Sequence, residues 1–144
     1  MRLLKNSIKT PDGTILTSKY THDCVVYKDA NGETYGVDGG TEYARRIGHT
    51  NQCEDLSIWI DENKFEEEFE VIRENVHWGT RGKDGDKPLK FITVKEMTND
   101  HLENMITYKG PVNAFIRRTM EYELEYRNKL GIIVFEADTW DDQF

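Results

Sequence analysis

A chain of 144 residues suits one domain, and its balance of 32% charged against 37% hydrophobic residues leaves much polar surface. Aromatic residues at 11% are too many for a disordered chain. The formal net charge of −8 disfavours a general nucleic-acid coat, since duplex binding rests on neutralising many phosphates, so any anionic ligand must be held by a local basic cluster.

No apolar run approaches the roughly eighteen residues of a membrane span, and MRLLKNSIK lacks the apolar core of a secretory signal. The two cysteines, Cys24 and Cys53, are expected as free thiols in a reducing cytosol.

In chain order, the Asp12-Gly13 pair of TPDGT marks a first turn. TILTSKYTHDCVVYKD, rich in β-branched and aromatic residues, then leads through Asn31-Gly32 into ETYGVDGG, which reads as a β-hairpin. TEYARRIG has helical character, with Thr41 as N-cap, Glu42 in the first turn and Gly48 as a stop. LSIWI is apolar enough for a buried strand or a helical turn. In DENKFEEEFEVIREN, Phe65, Phe69 and Ile72 recur at helical spacing, predicting an amphipathic helix with an acidic outer face.

PLKFITVKEM favours a strand entered through proline. Thr98 is expected to cap a helix over TNDHLENMITY that turns Leu102, Met105 and Ile106 inward and ends at Gly110-Pro111. The longest helical pattern, VNAFIRRTMEYELEYRNKLG, closes on Gly131. IIVFEADTW is read as a last strand or packing tail, and DDQF as a fraying end. The fold class is therefore α+β, a single domain over 1–144. A small antiparallel sheet from a β-rich part (about 1–60) packs with two main helices from an α-rich part (about 61–144).

The basic stretch HWGTRGKDGDKPLK (77–90) carries Gly79, Gly82 and Gly85, yet the phosphate-loop pattern fails because no lysine-serine or lysine-threonine follows, and Asp84 and Asp86 alternate with Arg81 and Lys83. It reads as a shaped turn that aims Trp78 and feeds the strand bearing Phe91, with a ligand loop as the alternative. A metal site from His22, Asp23, Cys24, His49 and Cys53 is disfavoured, since His22 and Cys24 alternate across a predicted strand and no paired cysteine motif exists. No serine or cysteine sits in a nucleophile setting, so no catalytic residue is named.

His101 and Asn104, three apart on a helix, together with Arg117, Arg118 and Arg127 on the next, suit a nucleotide: guanidinium for phosphate, amide for a base or ribose edge, and Phe91 or Trp78 for stacking. The same arginines among Glu121, Glu123 and Glu125 read equally well as surface ion pairs.

The block WGTRGKDGDKPLKFITVKEMTNDHLENMI, the earlier block LKNSIKTPDGTILTSKYTHDC with VDGGTEYARRIG, and the final ELEYR helix cover most of the chain. Together they resemble the Thoeris anti-defence proteins of phages, of the first described type. Where cysteine pairs are pictured in relatives, this chain has the turns TPDG and YKDANG, which weakens a metal knuckle further.

The resemblance implies a sponge: a small antiparallel sheet with helices, assembled as a homodimer or higher homo-oligomer in the host bacterial cytoplasm. It would bind a cyclic ADP-ribose isomer made by an immune enzyme and hold it uncleaved. On that resemblance the ligand contacts are Phe91, Asn104, Arg118 and Arg127, with Trp78, His22 and Asp23 beside them. It implies no metal, no cofactor, no nucleic-acid partner and no membrane partner. Two other readings stand beside it: a nucleotide-cleaving enzyme, and an inhibitor whose acidic face at 61–70 mimics nucleic acid toward a basic host protein.

Overall fold

The computed structural model describes residues 1–82 and 84–135. The fold is α+β, with small antiparallel sheets in the N-terminal half and helices mostly in the C-terminal half. The chain forms two compact units, Met1–Glu68 and Phe69–Phe144.

In the first unit, strand β1 (Arg2–Lys9) pairs antiparallel with β2 (Ile15–Ser18). It also pairs with two short strands, β6 (Glu54–Asp55) and β7 (Ile58–Ile60). Leu3, Leu4, Asn6, Ser7 and Ile8 are all buried, so β1 is covered on both faces, which an alternating pattern would not produce. A second sheet runs β3 (Val25–Lys28), β4 (Thr34–Asp38), β5 (Arg45–Gly48). Ile8, Leu16, Tyr35 and Val37 form the core, with Val25, Tyr27 and Cys53 against it. Both cysteines are free.

The hairpin expected around Asn31-Gly32 is present: Asp29 accepts the Gly32 amide through its carbonyl and the Asn31 and Glu33 amides through Oδ1. TEYARRIG is not helical. Its second half is strand β5, paired from Asp38↔Arg45 to Tyr35↔Gly48. A two-turn helix would have to overcome nucleation with almost no intrahelical bonds, whereas the β4 edge offers a full ladder. Gly48 ends the strand at φ +77, where a Cβ would lie 2.1 Å from the Thr34 carbonyl oxygen.

A polar knot holds one end of this unit. Buried Ser18 donates to the Asp23 carbonyl (2.6 Å) and accepts from the Gly40 amide (2.8 Å). Buried Asn6 donates to the carbonyls of Asp38 (2.9 Å) and Tyr43 (3.3 Å) and accepts from Arg46. A Cβ on Gly39 would stand 2.0 Å from the Tyr43 carbonyl oxygen, and one on Gly40 2.3 Å from the Tyr20 carbonyl carbon. The Ser18-Lys19, His22-Asp23 and Asp38-Gly39-Gly40 elements of the sequence thus meet in one place. Their shared reason is backbone approach and buried hydrogen bonding.

In the second unit, helix α1 (Phe69–Asn75) turns Phe69, Ile72 and Arg73 inward. The predicted helix over 61–75 is shorter than expected: 62–64 form a 3-10 turn capped by Asp61, and α-helix begins at Phe69. The apolar spacing held nonetheless, since Phe65, Phe69 and Ile72 are all buried.

Strands β8 (His77–Thr80) and β9 (Lys90–Thr93) form a hairpin ribbon, and a capping box between Thr93 and Glu96 closes the 3-10 turn that follows. Helix α2 (Asn99–Thr107) starts on Thr98, whose hydroxyl accepts the His101 amide, and buries Leu102 and Met105. Helix α3 (Ala114–Leu130) starts on Asn113 and ends at Gly131 in the left-handed region (φ +68). Among the described residues α2 and α3 are the two main helices expected, with the shorter α1 before them. Residues 132–135 are not a strand, although Val134 bonds Asn99 through both backbone groups. The remainder of IIVFEADTW, and DDQF, lie outside the described residues.

The TPDGT turn carries a pH-dependent contribution. Hydrogen bonds from the Thr10 and Tyr27 hydroxyls, then Thr14, hold the Asp12 carboxyl well below the usual carboxylate range. A depressed carboxyl stabilises the fold above its ordinary range, and the contribution is lost as pH falls. The difference in urea midpoint between the native chain and Asp12→Asn is expected to be largest near neutrality and to shrink below about pH 4; a difference that is constant with pH overturns this account.

Candidate functional site

The best-defined concentration of aromatic and basic groups is the β8–β9 ribbon. Register pairs His77↔Thr93, Trp78↔Ile92, Gly79↔Phe91 and Thr80↔Lys90, so alternate pairs face opposite sides. The Trp78, Thr80, Ile92 side is the inner one, with Thr80 and Ile92 buried and Trp78 half-buried. The other side carries His77, Gly79, Phe91 and Thr93. There Phe91 is half-buried across its glycine partner, and Leu89 continues the face at 45% exposure.

The connecting loop is a shaped turn, as expected from its glycines. Gly82 (φ +84) donates to the Thr80 hydroxyl, and Gly85 (φ +72) donates to the Gly82 carbonyl. At its base the Lys87 amide donates to the Arg81 carbonyl at 2.9 Å. That bond sets two exposed cationic residues side by side, next to the strand end that carries Leu89 and Phe91. The ribbon therefore offers a planar ring for stacking and a pair of cations at one end. HWGT is a four-residue strand where the sequence reads as a turn, because Gly79 and Gly82 and a polar surround conceal it.

The arginines of α3 are placed differently from the expectation. Arg127, expected at the ligand, is fully buried and structural. Its Nε donates to Glu123 (2.6 Å), Nη1 to Asn99 Oδ1 (2.9 Å), and Nη2 to the carbonyls of Val94 (3.1 Å) and Lys95 (3.0 Å). Its guanidinium has no face left for a phosphate. Glu123 is likewise fully buried and is gripped from the other side by Arg73, with two bonds of 2.7 Å. The Arg73 guanidinium also lies 4.7 Å from the centre of the Tyr126 ring. Glu123 holds Arg73 above the ordinary guanidinium range, whereas burial works against the charge of Arg127.

Arg117 is also structural, donating to the carbonyls of Met105, Ile106 and Tyr108 and so capping the end of α2. Arg118 is exposed on α3, and Asn104 is exposed on α2. His101 and Asn104 do not share a surface: His101 is buried beside Leu102, while Asn104 faces out. His22 and Asp23 belong to the first unit. His22 is exposed with a left-handed backbone (φ +69), and the Asp23 carboxylate accepts the Lys19 amide (2.8 Å). Among the described residues no group of three or more His, Cys, Asp or Glu side chains could hold a metal ion. No described helix is long and apolar enough to cross a membrane.

No family model matches the chain, and no solved structure matches it. A glycine–tRNA ligase of Methanococcus vannielii is similar to it, 30% identical over 119 residues that take in 76% of this chain and 20% of the ligase. The chain spans about a fifth of that relative's length.

Burial separates the arginines into testable classes. Arg127→Ala and Glu123→Gln each leave part of a buried ion network uncompensated, and each is expected to lower stability by about 3–5 kcal/mol. Arg118→Ala is expected to stay within about 0.5 kcal/mol. Urea unfolding monitored by tryptophan fluorescence checks both, and equal effects for Arg118 and Arg127 would contradict the assignment.

Proposed function

We propose that this chain is a stoichiometric nucleotide-binding protein that captures a small anionic nucleotide of the cyclic ADP-ribose class and releases it unchanged. In this reading it is a phage counter-defence protein that lowers the concentration of a host immune signal in the bacterial cytoplasm. The observation that carries the reading is the β8–β9 ribbon, where Phe91 packs against Gly79 and the exposed residues Arg81 and Lys87 meet through their backbones at the base of the connecting loop. A base on an aromatic face gains about 1–3 kcal/mol. Two cations at one end supply what the −8 chain otherwise withholds from a pyrophosphate.

Phe91 remains in the proposed site, Trp78 supports the ribbon from its inner side, and the exposed Arg118 and Asn104 are contributors from the helices of the same unit. Arg127 acts only through the fold. One ribbon face covers one side of a base, so a second surface is needed for the other side; the homodimer or higher homo-oligomer of this proposal would supply it. A second reading, a single-stranded RNA end on the same ribbon, is favoured by the tRNA in the name of the similar ligase and is tested alongside.

The experiment is capture and release. Purified chain is incubated with cyclic ADP-ribose isomers, washed, and heated, and intact ligand near one equivalent per site is expected in the supernatant. Cleaved product, or product beyond one equivalent, overturns capture in favour of an enzyme. The double substitution Arg81→Ala/Lys87→Ala is expected to weaken binding at least about tenfold, with a shallower salt dependence. Tighter binding of a short RNA than of the cyclic nucleotides would select the second reading.

A further inference from the structure

We infer that Gly79 is a positioning residue that sets how Phe91 is presented, and so makes the ribbon selective for a base-bearing nucleotide over a bare phosphate ligand. The inference rests on the ribbon reading above and deepens it. Gly79 and Phe91 are direct cross-strand partners. A Cβ built on Gly79 would meet Phe91 Cε1 at 3.2 Å, Leu89 Cδ1 at 3.3 Å and Phe91 Cδ1 at 3.6 Å. The first two separations are tighter than ordinary contact, so both side chains lean into the space a side chain at 79 would take.

The reason for glycine at this position is space and not backbone shape. Gly79 is absent from the left-handed glycines, which include Gly82 and Gly85 in the same hairpin. A side chain at 79 is therefore compatible with the strand, and its effect falls on the Phe91 ring. Cross-strand packing of an aromatic over glycine holds the ring against the ribbon. Any residue larger than glycine lifts the ring edge and tilts its outer face, which degrades stacking with a planar base. The three atoms nearest to such a Cβ belong to Phe91 and Leu89, not to the cations Arg81 and Lys87 of the loop, so the substitution acts first on the ring and leaves the charges in place.

The test measures dissociation constants for cyclic ADP-ribose and for inorganic pyrophosphate, by calorimetry, on the native chain, Gly79→Ala, Gly79→Val, Phe91→Ala and Phe91→Trp. The expected result is graded: Gly79→Ala weakens cyclic ADP-ribose binding about threefold, and Gly79→Val and Phe91→Ala about tenfold or more, in line with loss of one stack. Pyrophosphate affinity stays within about twofold in all four, and Phe91→Trp keeps nucleotide binding. Circular dichroism and thermal midpoints on the same samples separate loss of stacking from loss of fold, since a misfolded ribbon loses both ligands together. If Phe91→Ala weakens nucleotide binding while both Gly79 variants bind as the native chain does, the role of Gly79 is overturned and the ribbon reading stands. If the native chain binds neither probe, or Phe91→Ala changes nothing, the ribbon reading falls and this inference with it.

Discussion

The C-terminal unit is organised around a carboxylate that has no access to water. Burying Glu123 without compensation would cost many kcal/mol, and the chain answers with two guanidiniums, one from α1 and one from α3. The resulting cluster carries one excess positive charge, which the carbonyls of Val94 and Lys95, the Asn99 side chain and the Tyr126 ring absorb. Such a cluster is weak evidence of net stability, because a hydrophobic replacement of equal volume often does as well. Its value is geometric. Arg127 reaches Val94, Lys95 and Asn99 together only in one rotation and one height of α3, so a single side chain fixes the helix against the end of β9 and the start of α2. The ribbon that bears Phe91 is fixed by the same contacts, since β9 runs directly into the segment Arg127 holds.

The N-terminal unit solves a comparable problem without charge. Its two sheets meet where two loops, 19–24 and 39–44, approach too closely for side chains, and glycine at 39 and 40 is a steric requirement. Asn6 and Ser18, buried in β1 and β2, take up the carbonyl and amide groups that the crossing strips of water. The strand pattern of β1 is broken by a polar pair for this reason, and the break is where the loops are anchored.

Much of this was legible in the sequence where local rules decide. Thr98 as a cap, Gly131 as a stop, the Asn31-Gly32 turn and the inward set Phe69, Ile72, Leu102 and Met105 all follow from periodicity and end chemistry, whereas Asn113, inside the expected helical run, is its cap. The failures are non-local. TEYARRIG satisfies every short-range helix signal and still pairs with β4, because a ladder partner ten residues earlier outweighs two turns of propensity. HWGT could be read as a strand only with its partner across the loop 81–89 in view. The arginines show the same limit most clearly. Arg117, Arg118 and Arg127 lie within eleven positions and look interchangeable in the sequence, yet one caps a helix, one is exposed and one is the centre of the core. Arg73 carried a usable signal, since it follows Ile72 directly on the apolar stripe of an acidic helix, where a lone cation needs a buried anion.

The redistribution of the arginines changes what kind of site the chain can offer. A ligand contact must be exposed before binding, and a guanidinium whose donors are already committed to carbonyls and a carboxylate has no free energy left to gain from phosphate. Cations that remain on the surface of an acidic protein gain most where their own acids do not reach them. Arg81 and Lys87 are exposed and their backbones are joined at the base of the loop. The bond between the Lys87 amide and the Arg81 carbonyl brings two cationic residues that are apart in the sequence to the same end of the ribbon, next to the strand that carries Phe91. Charge counted along a chain and charge met by a ligand are different quantities, and a backbone bond that closes a loop is one source of the difference.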